Sequence, residues 1–382
     1  MKRVLIVTSV ASVVDQFLLP CVKLLQEMDY DVEVACNFIK GNNCSDERVM
    51  QLKEKLTQLN ISYIQTDFSR NVMNLSENFL AYKQLKKLVE CGEYDIIHCH
   101  TPIAAMITRL ASRKARKKGT KVIYTAHGFH FYKGAPKLNW LIYYPIEKIC
   151  SYFTDVLITI NKEDYALAQR KMKAKRVKYV PGVGIDVEKF ANPGVTKEQK
   201  RTELGIPQDV KLLISVGELN KNKNHETVIR AIKNLDVYYI IAGRGDLQDY
   251  LQILINDLNL NDRVKLLGYR TDVAELYAAA DIFVFPSFRE GLPVSMMEAM
   301  TSGLPCIASK IRGNMDLIVD GEGGCLCDAN NIDSVTNAIR TLTDNLDLCQ
   351  KMSKYNLDYI KEFDILAVEE TMEKIYKEVF EI

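Results

Sequence analysis

From residue 3 to about residue 309 the chain alternates short apolar runs rich in β-branched residues with amphipathic stretches of helical period. Strands buried on both faces read as unbroken apolar runs. Strands separated by helix-length crossovers pair in parallel, so the pattern predicts parallel sheets covered by helices. Two such series are present. The first runs through "RVLIVTS" (3–9), "DVEVAC" (31–36), "ISYIQT" (61–66), "YDIIHCH" (94–100), "KVIYTAH" (121–127), "VLITI" (156–160) and "VKYVPG" (177–182). The second runs through "KLLISVG" (211–217), "VYYIIAG" (237–243), "VKLLG" (264–268), "IFVFPS" (282–287) and "PCIAS" (305–309). The expected fold class is α/β, with two Rossmann-like doubly wound domains. Between the series, "VGIDVEKFANPGVTKEQK" is polar, turn-rich and without a period, which makes it the linker candidate. The expected divisions are 1–185, a linker at 186–204, 205–363, and a C-terminal helix at 364–382. In that helix Ile365, Val368, Met372, Ile375, Tyr376 and Val379 share one face, which needs a partner surface; the N-terminal domain is a candidate.

Bulk properties narrow the function classes. A chain of 382 residues exceeds one ordinary core. A net charge of +1 gives no overall attraction to nucleic acid, so any anion site must be local. The ten cysteines are scattered without a CxxC pair, as expected of thiols in a reducing cytoplasm. The start "MKRVLIVTSV" passes straight into strand chemistry and does not read as a signal peptide. No run approaches the ~20 apolar residues of a membrane span. "HCH" at 98–100 lies in an apolar strand with no second ligand group close by, a weak basis for a metal site.

Ligands of doubly wound sheets bind beyond the carboxyl ends of the strands. Three strands of the second series end there in glycine, at Gly217, Gly243 and Gly268, and a fourth leads into "FREGLP". In "SVGELNKNKNHE" (215–226), Lys221 and Lys223 follow the first of these glycines; lysines in a connection are ordinarily just solvated. In "REGLPVSMMEAMTSGLP" (289–305), Glu290 precedes a Gly-Leu-Pro turn, Pro293 suits the first position of a helix, and Glu298 follows within it. The N–H groups of that helix start suit an anion, and two carboxylates beside an anion suit hydroxyl groups. Ordinary alternatives are a capping role for Glu290 and a solvated Glu298.

The E-x(7)-E spacing of Glu290 and Glu298 lies within "ADIFVFPSFREGLPVSMMEAMTSGLPCIAS", alongside "VGELNKNKN", "IIAGRGDL", "VKLLGY" and "LYAAADIFV". Together these resemble the signature of family 4 glycosyltransferases of the GT-B fold, over nearly the whole chain. The resemblance implies two Rossmann-like domains facing a central cleft, the first for the acceptor and the second for a nucleotide-sugar donor, with UDP as the expected nucleotide. It further implies that Glu298 binds the ribose hydroxyls, that Glu290 contacts the transferred sugar, and that Gly291, Leu292, Pro293 and Val294 lie beside the sugar or phosphates. Lys223 falls on the lysine that neutralises the diphosphate. The loop at Gly268, Tyr269 and Arg270 resembles the part that reads the base, with Gly243 and Arg244 lining the same pocket. His127 in "YTAHGFHF" corresponds to the histidine near the reacting sugar, so Glu290 and His127 are the catalytic candidates; His130 is left as an acceptor contact.

The implied reaction is transfer with retention of configuration, with no metal and no cofactor, onto a lipid-linked or glycan acceptor in bacterial surface polysaccharide synthesis. Asp29-Tyr30-Asp31, the only DxD, lies at the wrong end of the sheet for the cleft. A sugar-nucleotide epimerase and a non-catalytic nucleotide-sugar-binding partner are the alternatives. A glycosidase is disfavoured because both glutamates are committed to one helix start, and a dehydrogenase because "VTSVASVV" has no Gly-rich turn. The sequence departs from the family in two loops. "TSVASVVDQF" lacks the glycine pair and offers Ser9, Ser12, Asp15 and Gln16 instead. Glu218 stands where most relatives carry arginine, leaving Lys221 or Arg244 to compensate.

"RLASRKARKKGTK" (109–121) holds seven basic residues and no acidic one. It reads either as a solvated helix end or as a patch for an anionic membrane. "LNWLIYYPIEKICSYF" adds aromatics, including Trp140, that suit an interface or a core equally.

Overall fold

The structure is a computed structural model and describes residues 1–381; Ile382, in the C-terminal segment 364–382, lies outside the described residues. The chain forms two compact units, one of Met1–Val183 with Leu366–Ile382 and one of Gly184–Ile365.

The first unit holds seven strands: β1 (Lys2–Val10), β2 (Tyr30–Asn37), β3 (Ser62–Gln65), β4 (Ile96–His100), β5 (Lys121–Ala126), β6 (Val156–Thr159) and β7 (Arg176–Tyr179). They form one parallel sheet in the order β3-β2-β1-β4-β5-β6-β7. The strand order reverses beside β1, so the loops after β1 and β4 flank the switch point where doubly wound sheets bind ligands. Every residue of β4 is buried, as its unbroken apolar reading requires. The C-terminal helix Ile365–Glu378 buries Val368, Met372, Ile375 and Tyr376 in the core of this unit, with Val22, Leu25 and Ile158.

The second unit holds β8 (Lys211–Val216), β9 (Val237–Ala242), β10 (Val264–Gly268), β11 (Ile282–Phe285), β12 (Cys306–Ser309) and β13 (Gly324–Cys327), ordered β10-β9-β8-β11-β12-β13 and all parallel. Its core is built on Leu213, Tyr239, Ile241, Ile282, Val284 and Ile307.

Three local features differ from the sequence reading. Residues 186–204, expected as a linker without regular structure, contain the helices Val187–Ala191 and Lys197–Leu204. The second is started by a reciprocal capping box between Thr196 and Gln199. The edge strand β13 is only four residues long and was not expected. The stretch "TSVASVVDQF", read from sequence as a loop, turns helical from Ala11 and continues as a π-turn at Val14–Leu18, which ends where Pro20 enters the next helix. Among the described residues, no helix is long and apolar enough to cross a membrane, and the ten cysteines are free.

Candidate active site

In the second unit the carboxyl ends of β10, β9 and β8 are laced together through their glycines. Gly243 N–H donates to the Gly268 carbonyl (2.8 Å), and Gly217 N–H donates to the Ala242 carbonyl (3.0 Å). A Cβ on Gly243 would lie 1.8 Å from the Gly217 carbonyl oxygen, so only glycine lets these two loops close.

The connection 218–224 is not a solvated tether. Asn222 donates to the Arg289 carbonyl (2.9 Å), and the Phe288 N–H donates to the Asn222 carbonyl (2.8 Å). Buried Asn224, at φ 58°, donates to the carbonyls of Pro286 (3.0 Å) and Ala329 (2.9 Å). These asparagines bind the lysine loop to the glutamate loop. Sequence reasoning gave them no role, because their carbonyl partners lie more than 60 residues away.

This stapling delivers Lys223 to Glu290, with Nζ 2.8 Å from Oε1 and both side chains largely buried. The ammonium also lies 4.7 Å from the centroid of the Phe285 ring, and its aliphatic stem runs past Gly217. Pro293 is the N-cap residue of the helix Val294–Thr301, one position earlier than the sequence suggests. Its carbonyl accepts from the N–H groups of Met296 and Met297. The helix start therefore lies immediately after Gly291 and Leu292. The loop after β12 closes on the same turn, for a Cβ on Gly313 would lie 2.4 Å from the Gly291 carbonyl oxygen.

Glu298 is not a solvated side chain. It is mostly buried, and Tyr277 Oη donates to its Oε2 (3.1 Å). Burial raises its carboxyl to about 7, opposed by the Tyr277 hydrogen bond and the charge of Lys189.

Arg270 is committed elsewhere. It pairs with Asp272 and with Glu203 (3.2 Å), in a network where Lys200 meets Glu203 (2.8 Å), Asp272 and Glu275 (2.7 Å). Its guanidinium therefore braces the loop, and Tyr269 beside it is exposed. Glu218 is exposed and accepts from Asn220 (2.8 Å). Among the described residues, the exposed side chains of Lys221, Arg244 and Arg289 form no ion pair. Arg289 was not singled out from sequence, although it stands directly before Glu290.

In the first unit His127 follows β5, half-buried, with Nε2 3.1 Å from His100 Nδ1. Burial lowers His127 to about 4, so its ring is neutral at physiological pH. His98 packs against His100 in a tilted arrangement, with centroids 4.2 Å apart, and is pinned by Tyr376 Oη (2.7 Å) and Thr125 Oγ1 (2.8 Å). Thr101, just after β4, adopts φ 62°, a strained value for a β-branched residue, and its Oγ1 meets Ser9 Oγ (2.6 Å). A strained residue at the switch point is a site signal that sequence alone does not carry.

The acceptor-side candidates are mostly engaged in structure. Ser12 is buried against the Asn42–Asn43 turn, and Asp15 pairs with Arg48 at 2.7 Å. Gln16 alone of the three is exposed. His130 packs against the Tyr143 ring (centroids 4.7 Å apart), and its carbonyl accepts from Asn139. Asp29 and Tyr30 stand at the amino end of β2, away from the ligand edge, and Asp31 pairs with Arg3. Among the described residues, no three or more His, Cys, Asp or Glu side chains are grouped to hold a metal ion.

Comparison with known proteins places these features in a family. Residues 3–161 match the model of "Glycosyl transferase 4-like" and residues 196–358 that of "Glycosyl transferases group 1". The "Putative glycosyltransferase EpsD" of Bacillus subtilis (strain 168) is 35% identical across 98% of this chain and 96% of its own. The Escherichia coli UDP-Gal:alpha-D-GlcNAc-diphosphoundecaprenol alpha-1,3-galactosyltransferase is 33% identical across 72% of this chain and 73% of its own. The crystal structure of Anabaena Alr3699/HepE with UDP and glucose superposes with a TM-score of 0.79 over 99% of this chain and all of that one, at 20% identity, a likeness of fold. The laced glycine loops and the E-x(7)-E helix start are thus those of a glycosyltransferase, and the chain belongs to the group 1, family 4-like glycosyltransferases of the GT-B fold.

Proposed function

We propose that the protein transfers a sugar from a UDP-linked donor to a lipid-linked saccharide, with retention of configuration and without a metal, in bacterial surface polysaccharide synthesis. The observation that carries this reading is the Lys223–Glu290 ion pair at the start of the Val294–Thr301 helix. The Glu290 carboxylate occupies the lysine's hydrogen-bonding position. A diphosphate exchanges with it, taking the Lys223 ammonium and the helix-start N–H groups and releasing Glu290 to accept from sugar hydroxyls. As the bond from the anomeric carbon to phosphate breaks, its electron pair passes to the phosphate oxygen, and those fixed donors meet the growing charge. The acceptor oxygen bonds the anomeric carbon on the same face, and its proton passes to the departing phosphate. Glu298 accepts from the ribose, and neutral His127 contacts the transferred sugar. The printed name of the galactosyltransferase relative, with its UDP-sugar and undecaprenol-linked saccharide, supports this choice of donor and acceptor.

The test incubates the protein with a panel of nucleotide sugars, with and without membrane lipid extract and with and without EDTA. Nucleotide release that needs the extract, survives EDTA and yields an α-linked product is expected. Epimer formation without extract, or binding without turnover, would overturn the reading.

We further propose contact with an anionic membrane, through part of the surface that the sequence suggests. Of the seven basic residues in 109–121, Arg109 is buried against Glu147 (2.9 Å) and Arg116 is bound to buried Asp155 by two hydrogen bonds (2.9 Å each). Arg113, Lys114, Lys117 and Lys118 remain exposed. Trp140 turns inward, donating to the Tyr132 carbonyl and packing on Phe131 and Tyr144. The outer face of the helix Lys137–Ser151 instead shows Leu138, Leu141, Ile142 and Ile149, continued by Tyr152. Arg113 lies over Phe153, where the basic and apolar surfaces meet. Each exposed cation adds about 1 kcal/mol at an anionic surface. Vesicles containing phosphatidylglycerol should float the protein, and those of phosphatidylcholine alone should not. Charge reversal at Arg113, Lys114, Lys117 and Lys118 should abolish flotation; unchanged binding would refute the contact.

A further inference from the structure

We propose that His100 is a positioning residue for His127: it donates its Nδ1–H to His127 Nε2 and so holds His127 in the tautomer that carries its proton on Nδ1. His127 then meets a ligand as a hydrogen-bond donor. The proposal rests on the reading of His127 as a group that contacts the transferred sugar.

The 3.1 Å contact between the two rings can run in either direction, and each neutral ring has one donor and one acceptor. The other nitrogen of His100 decides between them. His100 is 3% exposed, and its Nε2 has no hydrogen-bond partner among the described residues. The cavity that His100 lines is walled mainly by apolar side chains such as Phe17, Leu18, Leu24 and Met372, and its polar members Thr125 and Glu369 make no hydrogen bond to His100 Nε2. If His127 were the donor, His100 would carry its own proton on Nε2, a buried N–H without an acceptor, which folded proteins rarely tolerate. If His100 donates, Nε2 is left only a bare lone pair. The ring of His100 is also held in place, because His98 packs against it and is pinned at both nitrogens by Tyr376 and Thr125. Burial keeps both rings neutral, so neither offers a second proton. The remaining ring nitrogen of His127, Nδ1, makes no hydrogen bond among the described residues, and the side chain is partly exposed. That N–H is the group presented to a ligand.

An imidazole free in water prefers the proton on Nε2, so an Nδ1–H form of His127 would be the mark of His100 rather than a default. Protein labelled with nitrogen-15 histidine, read by long-range proton–nitrogen correlation, separates the two forms, and His127→Gln identifies the resonances. His127 is expected to be protonated on Nδ1 and bare on Nε2. In His100→Leu it should revert to Nε2–H, and kcat/KM should fall about tenfold, the factor one hydrogen bond of ordinary net strength supplies. His100→Gln, whose amide N–H can donate in the same place, should restore both. An Nε2-protonated His127 in the unmodified protein would overturn the proposal, and that spectrum is decisive even if the leucine variant fails to fold. An Nδ1-protonated His127 in the unmodified protein together with full activity in His127→Ala would uphold the tautomer and overturn the sugar contact.

Discussion

Lys223→Ala is expected to lower sugar transfer by about 10² to 10³-fold, the usual cost of losing one fixed donor to the charge that develops in a transition state. The geometry makes the variant informative because Lys223 and Glu290 hold each other, 2.8 Å apart and mostly buried. Removing the ammonium leaves a carboxylate without its partner at the mouth of a helix whose dipole partly offsets the loss. Stability should therefore fall by only about 1–2 kcal/mol, and the protein should remain folded. The companion variant Glu290→Gln separates the two roles. It frees Lys223 for the diphosphate, so UDP should bind a few-fold more tightly while transfer falls, because the contact to the sugar is lost. Opposite signs for binding and turnover in one variant are hard to obtain from misfolding. Isothermal titration with UDP and initial rates of nucleotide release measure the two. Lys223→Ala turnover within a few-fold of the unmodified protein, or UDP binding weakened in Glu290→Gln, would refute the partner-exchange account.

The sheets were legible in the sequence because strands covered on both faces must be apolar throughout, and helices between parallel strands set their order. β13 escaped notice because "GCLC" is a four-residue edge strand with two half-buried positions, too short to show a period. The capping box at Thr196 and Gln199 was present in the sequence, but the glycine, proline and charged residues around it masked the helix it starts. The backbone half of the candidate site was readable for a related reason. Glycine at a strand end and proline before a helix act locally, so Gly217, Gly243, Gly268 and Pro293 carry their meaning in place. Side-chain commitments were not readable. Arg270 is spent on Glu203, Arg109 on Glu147, Arg116 on Asp155 and Asp15 on Arg48, pairs 33 to 67 residues apart that only the fold brings together. Each of these partners turns a residue that looks free for ligand or membrane into part of the frame.

Donor affinity should rise with pH through neutrality, because of Glu298. Burial lifts its carboxyl from an ordinary 4.5 to about 7, so much of the population is protonated near neutral pH. If ribose hydroxyls donate to the carboxylate, as proposed, the donor binds the ionised form, and binding should strengthen between pH 6 and pH 8 and then level off. A nucleotide sugar is the right probe, since its diphosphate diester does not titrate in this range. Glu298→Gln should bind the donor weakly and with no such rise. The stability of the free protein should move the opposite way. Between about pH 4.5 and 7 the folded chain keeps a proton that the unfolded chain has released, so stability falls as pH rises through that window. Above it the full cost remains, on the order of 3 kcal/mol at 1.36 kcal/mol per unit. Glu298→Gln should therefore melt at a higher temperature than the unmodified protein at pH 8 and at a similar temperature at pH 4. A buried carboxylate that weakens the fold and strengthens as the donor arrives is the signature of a group kept for binding. Equal melting temperatures at pH 8, with donor affinity flat in pH, would show that Glu298 is a structural residue whose charge the ligand never meets.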